Sequence, residues 1–375
     1  MYIGIPKESR PFEYRVGLSP AGVEILSHFG HQVFVEHDAG AGARFKDQEY
    51  ELAGARIAFS AQEVFGRADL LLKISRPIKQ ELEWLRDGAI LAVFLHLASA
   101  SQDQIDLLLE KKITALAYEQ ITDAQGGRIV LRQFSLICGA MVAQIAARWL
   151  QPNRGGKGIM LSGVPGVPPA EAVIIGGGAV GMSAARAMQN AGAHVTVLDK
   201  NMAALENIHE KLPGVVTMMA TRRNIERATA FADVLVGAVL VAGQRATVVV
   251  TREMVRAMKP RSVIIDVSID QGGCVETSRP TMHDNPAFIE ENIVHYCVPN
   301  IASTVARTAS HVFLNSAIPY ITEIANNGID AAMKADPSIE VAVNTHQGRL
   351  VNLARLGGVE VSRSPTTSAP RCCGA

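Results

Sequence analysis

Residues 173–200, VIIGGGAVGMSAARAMQNAGAHVTVLDK, restrict the fold of this chain more than any other stretch. A short apolar run meets a burst of glycines, then an alanine-rich segment, then a second apolar run that ends on an acid. Gly176, Gly178 and Gly181 are spaced as G-x-G-x-x-G. In that pattern the first glycine permits a tight turn after a strand. The second lets a backbone approach a pyrophosphate, and the third lets helix and strand pack closely. The free N–H groups of the helix start then favour phosphate oxygens. The glycine pattern alone is weak, because glycine-rich turns are common. Here a strand precedes it, a helix follows, and Asp199 closes the next strand 18 residues after Gly181. That context predicts a dinucleotide grip. A carboxylate at Asp199 accepts hydrogen bonds from ribose hydroxyls and repels a 2′-phosphate, which favours NAD over NADP. Lys200, Arg222 and Arg223 keep dual use open.

The rest of the chain repeats the same alternation. YIGIP, HQVFVEH, LLLKI, AILAVFL and ITALAYE read as strands in the first 130 residues, separated by helical stretches such as PAGVEILSHFG and SQDQIDLLLEKK. FSLICGAMVAQIAARWLQ reads as a long apolar helix leading into glycine- and proline-rich sequence that cannot continue it. A second strand series then runs from AVIIGG to SVIIDVS, and helical periodicity returns after residue 300. The expectation is an α/β protein of two units with mostly parallel sheets. Periodicity does not decide whether the second unit follows the first or is inserted into it.

Composition removes several classes. Of 375 residues, 36 are Lys or Arg and 36 are Asp or Glu, so zero net charge gives no reason to expect nucleic acid or an anionic membrane as partner. No apolar run approaches the roughly 18–20 residues that cross a bilayer, and the N-terminus does not read as a secretory signal. Five cysteines, an odd count without zinc spacing, fit a reducing cytoplasm and no metal site. Cys372 and Cys373 sit in a tail poor in core formers.

Several ordered blocks together resemble the family of alanine dehydrogenases and the NAD-binding subunit of transhydrogenase. They are GIPKESRPFEYRVGLSPAGV, LLLKISRP, FLHLA, AYE, GVPGV, VIIGGGAVG, VLD, IDVSIDQGGCVETSRPT, HYCVPNIASTVARTAS and THQG, and they run from residue 1 to about 350. The resemblance implies a discontinuous substrate domain, 1–130 and 305–375, enclosing an NAD-binding Rossmann domain, 131–304. It implies a cytoplasmic homo-hexamer that interconverts L-alanine with pyruvate and ammonia, using NAD and needing no membrane.

Such chemistry requires a cation for the substrate carboxylate, hydride removal from Cα, and proton transfer at nitrogen and at water. By resemblance, Arg15 binds the carboxylate, as a guanidinium fork suits. His96, at a strand end, is the acid–base, a residue type that exchanges protons near neutrality. Asp270, before Gly-Gly, is the second proton-transfer or water-orienting group. Ser135 matches a phosphate-contacting serine, Asn300 and Ile301 a stretch bordering the nicotinamide, and Val239 and Leu240 the same cleft. The family's Lys-Val-Lys-Glu-Pro reads KISRP here, so the second lysine is Ser75. Side chains two apart on a strand share a face, so Lys73 is expected to reach the pocket, with Arg76 as the other compensation. Leu136 and Ala140 replace an acid and a base of the family pattern. Three alternatives stay open: a dehydrogenase of another amino acid or opine-type substrate, a soluble transhydrogenase subunit, and a non-catalytic NAD(H)-binding relative.

Overall fold

A computed structural model describes residues 1–97, 100–240 and 245–352, so Cys372 and Cys373 lie outside the described residues. Two sheets organise the chain. The first takes β1 (Tyr2–Ile5), β2 (Gln32–Glu36), β3 (Arg56–Ala58), β4 (Leu70–Ser75), β5 (Ile90–Phe94) and β6 (Thr114–Ala117). The second takes β7 (Glu171–Ile175), β8 (His194–Asp199), β9 (Val216–Met219), β10 (Val234–Gly237), β11 (Val263–Asp266), β12 (Ala287–Glu290) and β13 (Ile293–Tyr296). The chain then returns to the first sheet with β14 (Val343–His346) and β15 (Arg349–Leu350). The second unit is therefore inserted into the first, the point that periodicity left open.

Strand orders are β15-β14-β6-β5-β4-β1-β2-β3 and β12-β13-β11-β10-β7-β8-β9. Each contains a doubly wound parallel core of order 3-2-1-4-5-6, with antiparallel strands added only at one edge. The central strands are buried along their whole length, β4 and β5 without one exposed position. That is why they read as continuous apolar runs rather than as alternation. The short edge strands β3, β12 and β15, and the short β14 beside β15, carry weaker patterns and escaped the sequence reading.

The helix Ile129–Trp149 joins the two units. Its 21 residues are long and apolar enough to span a bilayer, which corrects the expectation that nothing in the chain reaches that length. It also carries Arg132 and Arg148, and its residues enter the cores of both units: Phe134 and Ile137 in one, Val142 and Ala146 in the other. Gly139 lies where this helix crosses Ala179–Asn190. A Cβ there would stand 2.4 Å from the Val180 carbonyl oxygen. In the core of the first unit, Phe94, Tyr118, Phe134 and Phe313 form one aromatic cluster, with Phe94–Phe134 centroids 5.2 Å apart and Tyr118–Phe313 4.9 Å apart. Burying each such ring contributes about 1.5–3 kcal/mol, so the cleft rests on a stiff floor.

Candidate active site

In an open parallel sheet, ligands bind outside the carboxyl ends of the strands where the strand order reverses. Both sheets turn those ends toward one cleft of about 380 Å³. From the first sheet, the loop after β1 brings Arg10 and Arg15, the end of β4 brings Ser75 and Arg76, and the end of β5 brings His96. From the second, the loop after β10 brings Val239 and Leu240, the turn after β11 brings Asp270, and the segment after β13 brings Asn300. Ser135 of the connecting helix completes the wall. Ile301 differs from expectation: its side chain is buried in the core of the second unit, and Ala302 faces the cleft instead.

The glycine turn begins at the reversal point of the second sheet. Gly176 has φ 107°, and a Cβ on it would lie 2.3 Å from the Ala238 carbonyl, because the turns after β7 and β10 touch there. Gly181 is packed tighter, its Cβ position 1.7 Å from the Gly176 oxygen. Gly178, the N-cap of the helix Ala179–Asn190, has nothing within 4 Å of its Cβ position. Two glycines thus serve the fold and one leaves open space at a helix N-terminus, an arrangement suited to a pyrophosphate. Asp199 accepts from the N–H of Gly177 at 2.5 Å and from Asn201 at 2.7 Å, so its carboxylate is held at the end of β8. The residues present therefore fit a dinucleotide. We expect Gly178→Val to abolish NADH binding while far-ultraviolet circular dichroism stays unchanged. Gly181→Val should instead lose the folded protein.

Arg15 is almost wholly buried and gripped by Glu13, with Nε–Oε1 2.7 Å and Nη2–Oε2 2.6 Å, while its guanidinium lies 4.7 Å over the Phe134 ring. Burial alone would raise the Glu13 pKa and lower that of Arg15. Their mutual attraction wins, holding the acid below its ordinary value and the guanidinium above. Sequence reasoning missed Glu13, two positions before Arg15, because nothing in that spacing marks an acid as the partner of a buried arginine.

His96 follows β5 with φ 44°, in the left-handed region, and stacks on Phe94. The N–H groups of Leu95 and His96 both donate to the buried Glu119 carboxylate, at 3.1 and 2.7 Å, and so fix this bend. Glu119 was present only as the last letter of AYE, and nothing local marked it. Asp270 stands in a one-turn 3₁₀ segment, Val267–Gln271, closed by Gly272 at φ 97°. The Asn300 N–H donates to Asp270 Oδ1 at 3.1 Å. Asp270 is open to the cleft, and the protein crowded around it pushes its pKa above the ordinary carboxylate value, opposed by that N–H, by His96 and by Arg15. Below it, Asp266 accepts from the N–H groups of Ser268, Cys274 and Val275. Ser268 Oγ in turn accepts from Val239 at 2.9 Å, tying the two loops together.

Lys73 is not in the cleft, contrary to the sequence expectation. Its side chain is fully buried, with Nζ 2.9 Å from Glu8 and 3.3 Å from Glu81. The cause is a register shift: β4 pairs Leu72 with Ala92 but Ser75 with Phe94, three steps against two. The extra residue breaks the two-residue alternation on which the expectation stood. Glu8 accepts from the Ile74 and Ser75 N–H groups at 2.6 and 3.3 Å and holds the irregularity in place. Ser75 keeps its place on the cleft, where its hydroxyl donates to Glu13 at 3.0 Å.

Two family descriptions cover the chain: alanine dehydrogenase/PNT, N-terminal domain, over residues 4–137, and the C-terminal domain of the same family over 142–353. The chain is 42% identical to the alanine dehydrogenase of Methanococcus maripaludis, over 98% of this chain and 99% of that one. It is 40% identical to the alanine dehydrogenase of Mycobacterium tuberculosis, over 94% and 95%. A solved L-alanine dehydrogenase superposes with a TM-score of 0.89 at 40% identity, covering 94% of this chain and 97% of that one. A transhydrogenase from Sinorhizobium meliloti gives 0.81 at 26%, covering 94% and 99%.

Proposed function

We infer the function from one premise: this chain belongs to the alanine dehydrogenase/PNT family. It catalyses the oxidative deamination of L-alanine to pyruvate and ammonia, and the reverse reaction. The observation that supports the reading most is a single cleft in which Arg15, His96 and Asp270 meet the end of the glycine-turn sheet. The cofactor is NAD, favoured by the Asp199 carboxylate, and when bound it takes the hydride from the substrate Cα.

The chain's own residues do the remainder. Arg15, rigidly held by Glu13, orients the substrate carboxylate. His96 removes the proton from the substrate ammonium as the imine forms. Asp270 then positions water and accepts its proton as oxygen adds to the imine carbon and the C–N bond breaks. Alanine, NAD⁺ and water thus give pyruvate, ammonium, NADH and one proton. The reading extends to a cytoplasmic homo-hexamer acting on small molecules, an assembly that sedimentation velocity would check. Mixing the purified chain with L-alanine and NAD⁺ at alkaline pH should produce the absorbance of NADH at a steady rate. Turnover with another amino acid and none with alanine would move the substrate, and NADH binding without turnover of any amino acid would remove the enzymatic reading.

A further inference from the structure

The cations around the cleft are more numerous than one substrate carboxylate and Arg15 account for. Among the described residues three guanidiniums line it, Arg10, Arg15 and Arg76, against a single lining carboxylate, Asp270. Arg15 is already compensated by a bidentate bond to Glu13, and Lys73 is enclosed with Glu8 and Glu81. An anion entering beside Asp270 would meet that carboxylate with little net positive charge from either of them. Arg76 and Arg10 supply what is missing. The irregularity in β4 turns Ile74, Ser75 and Arg76 toward the cleft. Arg76 Nη1 donates to the His96 carbonyl at 3.2 Å, beside the acid–base side chain, and Arg10 Nε donates to the Arg76 carbonyl at 2.9 Å. Burial and then the neighbouring Arg10 charge destabilise the Arg76 cation, with Glu119 opposing them only in part. Two like charges held together in this way are relieved when an anion arrives between them and the cleft floor.

We propose that Arg76, braced by Arg10, is a further substrate-binding residue of this chain: it is the second cation on the carboxylate of the 2-oxo or 2-amino acid. This rests on the dehydrogenase reading and deepens it. The test is steady-state reductive amination of pyruvate by the full chain, comparing wild type, R76Q and R76K, with NADH affinity measured separately by fluorescence. Glutamine retains a donor for the His96 carbonyl but carries no charge. R76Q should raise the KM for pyruvate about ten- to a hundredfold, the effect of losing one charge-assisted hydrogen bond. Its kcat and NADH affinity should stay within about threefold, and R76K should fall between wild type and R76Q. A pyruvate KM within twofold of wild type in R76Q, or an equal loss of NADH affinity, would overturn the assignment. If the wild type turns over no substrate, quenching of bound NADH by pyruvate replaces KM. The dehydrogenase reading then fails by itself, while loss of that quenching in R76Q still supports Arg76 and its persistence refutes it.

Discussion

His96→Ala and Asp270→Asn should each lower kcat for alanine by about 10²–10⁴-fold, the range for removing a positioned acid or base. NADH affinity should stay within about threefold, since neither side chain is part of the glycine turn. The two losses should also be far from additive, because both side chains line one cleft and, on the proposed mechanism, act on the same substrate. Their pH profiles separate them. The cleft raises the Asp270 pKa, so the carboxylate form that accepts a proton is lost as pH falls through a value higher than that of an ordinary aspartate. The contribution of Asp270 to the acidic side of the kcat profile should therefore vanish in Asp270→Asn and persist in His96→Ala. Activity within tenfold of wild type in both variants would remove their roles, whatever the substrate.

The second large effect concerns stability rather than chemistry. Lys73→Met should destabilise the chain by about 3–5 kcal/mol, the cost of breaking a buried ion pair from one side. Methionine fills much of the space, so the loss comes from Glu8 and Glu81, whose side chains are only 2% and 3% exposed and lose their shared cation. Glu8→Gln in the same chain should recover part of it. The sign with pH follows from the direction of the shift: Glu8 and Glu81 outweigh desolvation and raise the Lys73 pKa. Its stabilisation is then fully present below the ordinary lysine value of about 10.4 and fades only as pH rises through the higher folded value. Urea unfolding of both variants at neutral pH measures this. A loss below 1 kcal/mol would mean that the triad relaxes into water, and the bulge that Glu8 holds would then not depend on Lys73.

The two units show why some elements were readable and others were not. β4, β5, β7 and β11 are buried on both faces, so their apolar runs carry the assignment locally. β14 and β15 are short strands at one margin of the first sheet whose partners, β6 and one another, are fixed only after the chain has passed through the whole second unit. The helix Ile129–Trp149 was legible from Phe134 onward. Its first turn, at Ile129–Arg132, is set by packing against the core of the first unit rather than by a cap of its own. Among site residues, Arg15, His96, Asp270, Ser135, Val239, Leu240 and Asn300 meet in one cleft. Glu13 and Glu119, which hold two of them, lie beneath the surface and announced nothing by spacing alone.

The sequence by itself determined the glycine turn, the acid closing the next strand and the doubly wound alternation, because each is a contact between residues near in the chain. Tertiary structure decided where the charges go. One extra residue in β4, held by a carboxylate 66 positions earlier at Glu8, sent Lys73 into the protein and Arg76 toward the cleft. No periodicity records that choice, since it depends on which distant acids find a buried cation and remove it from water.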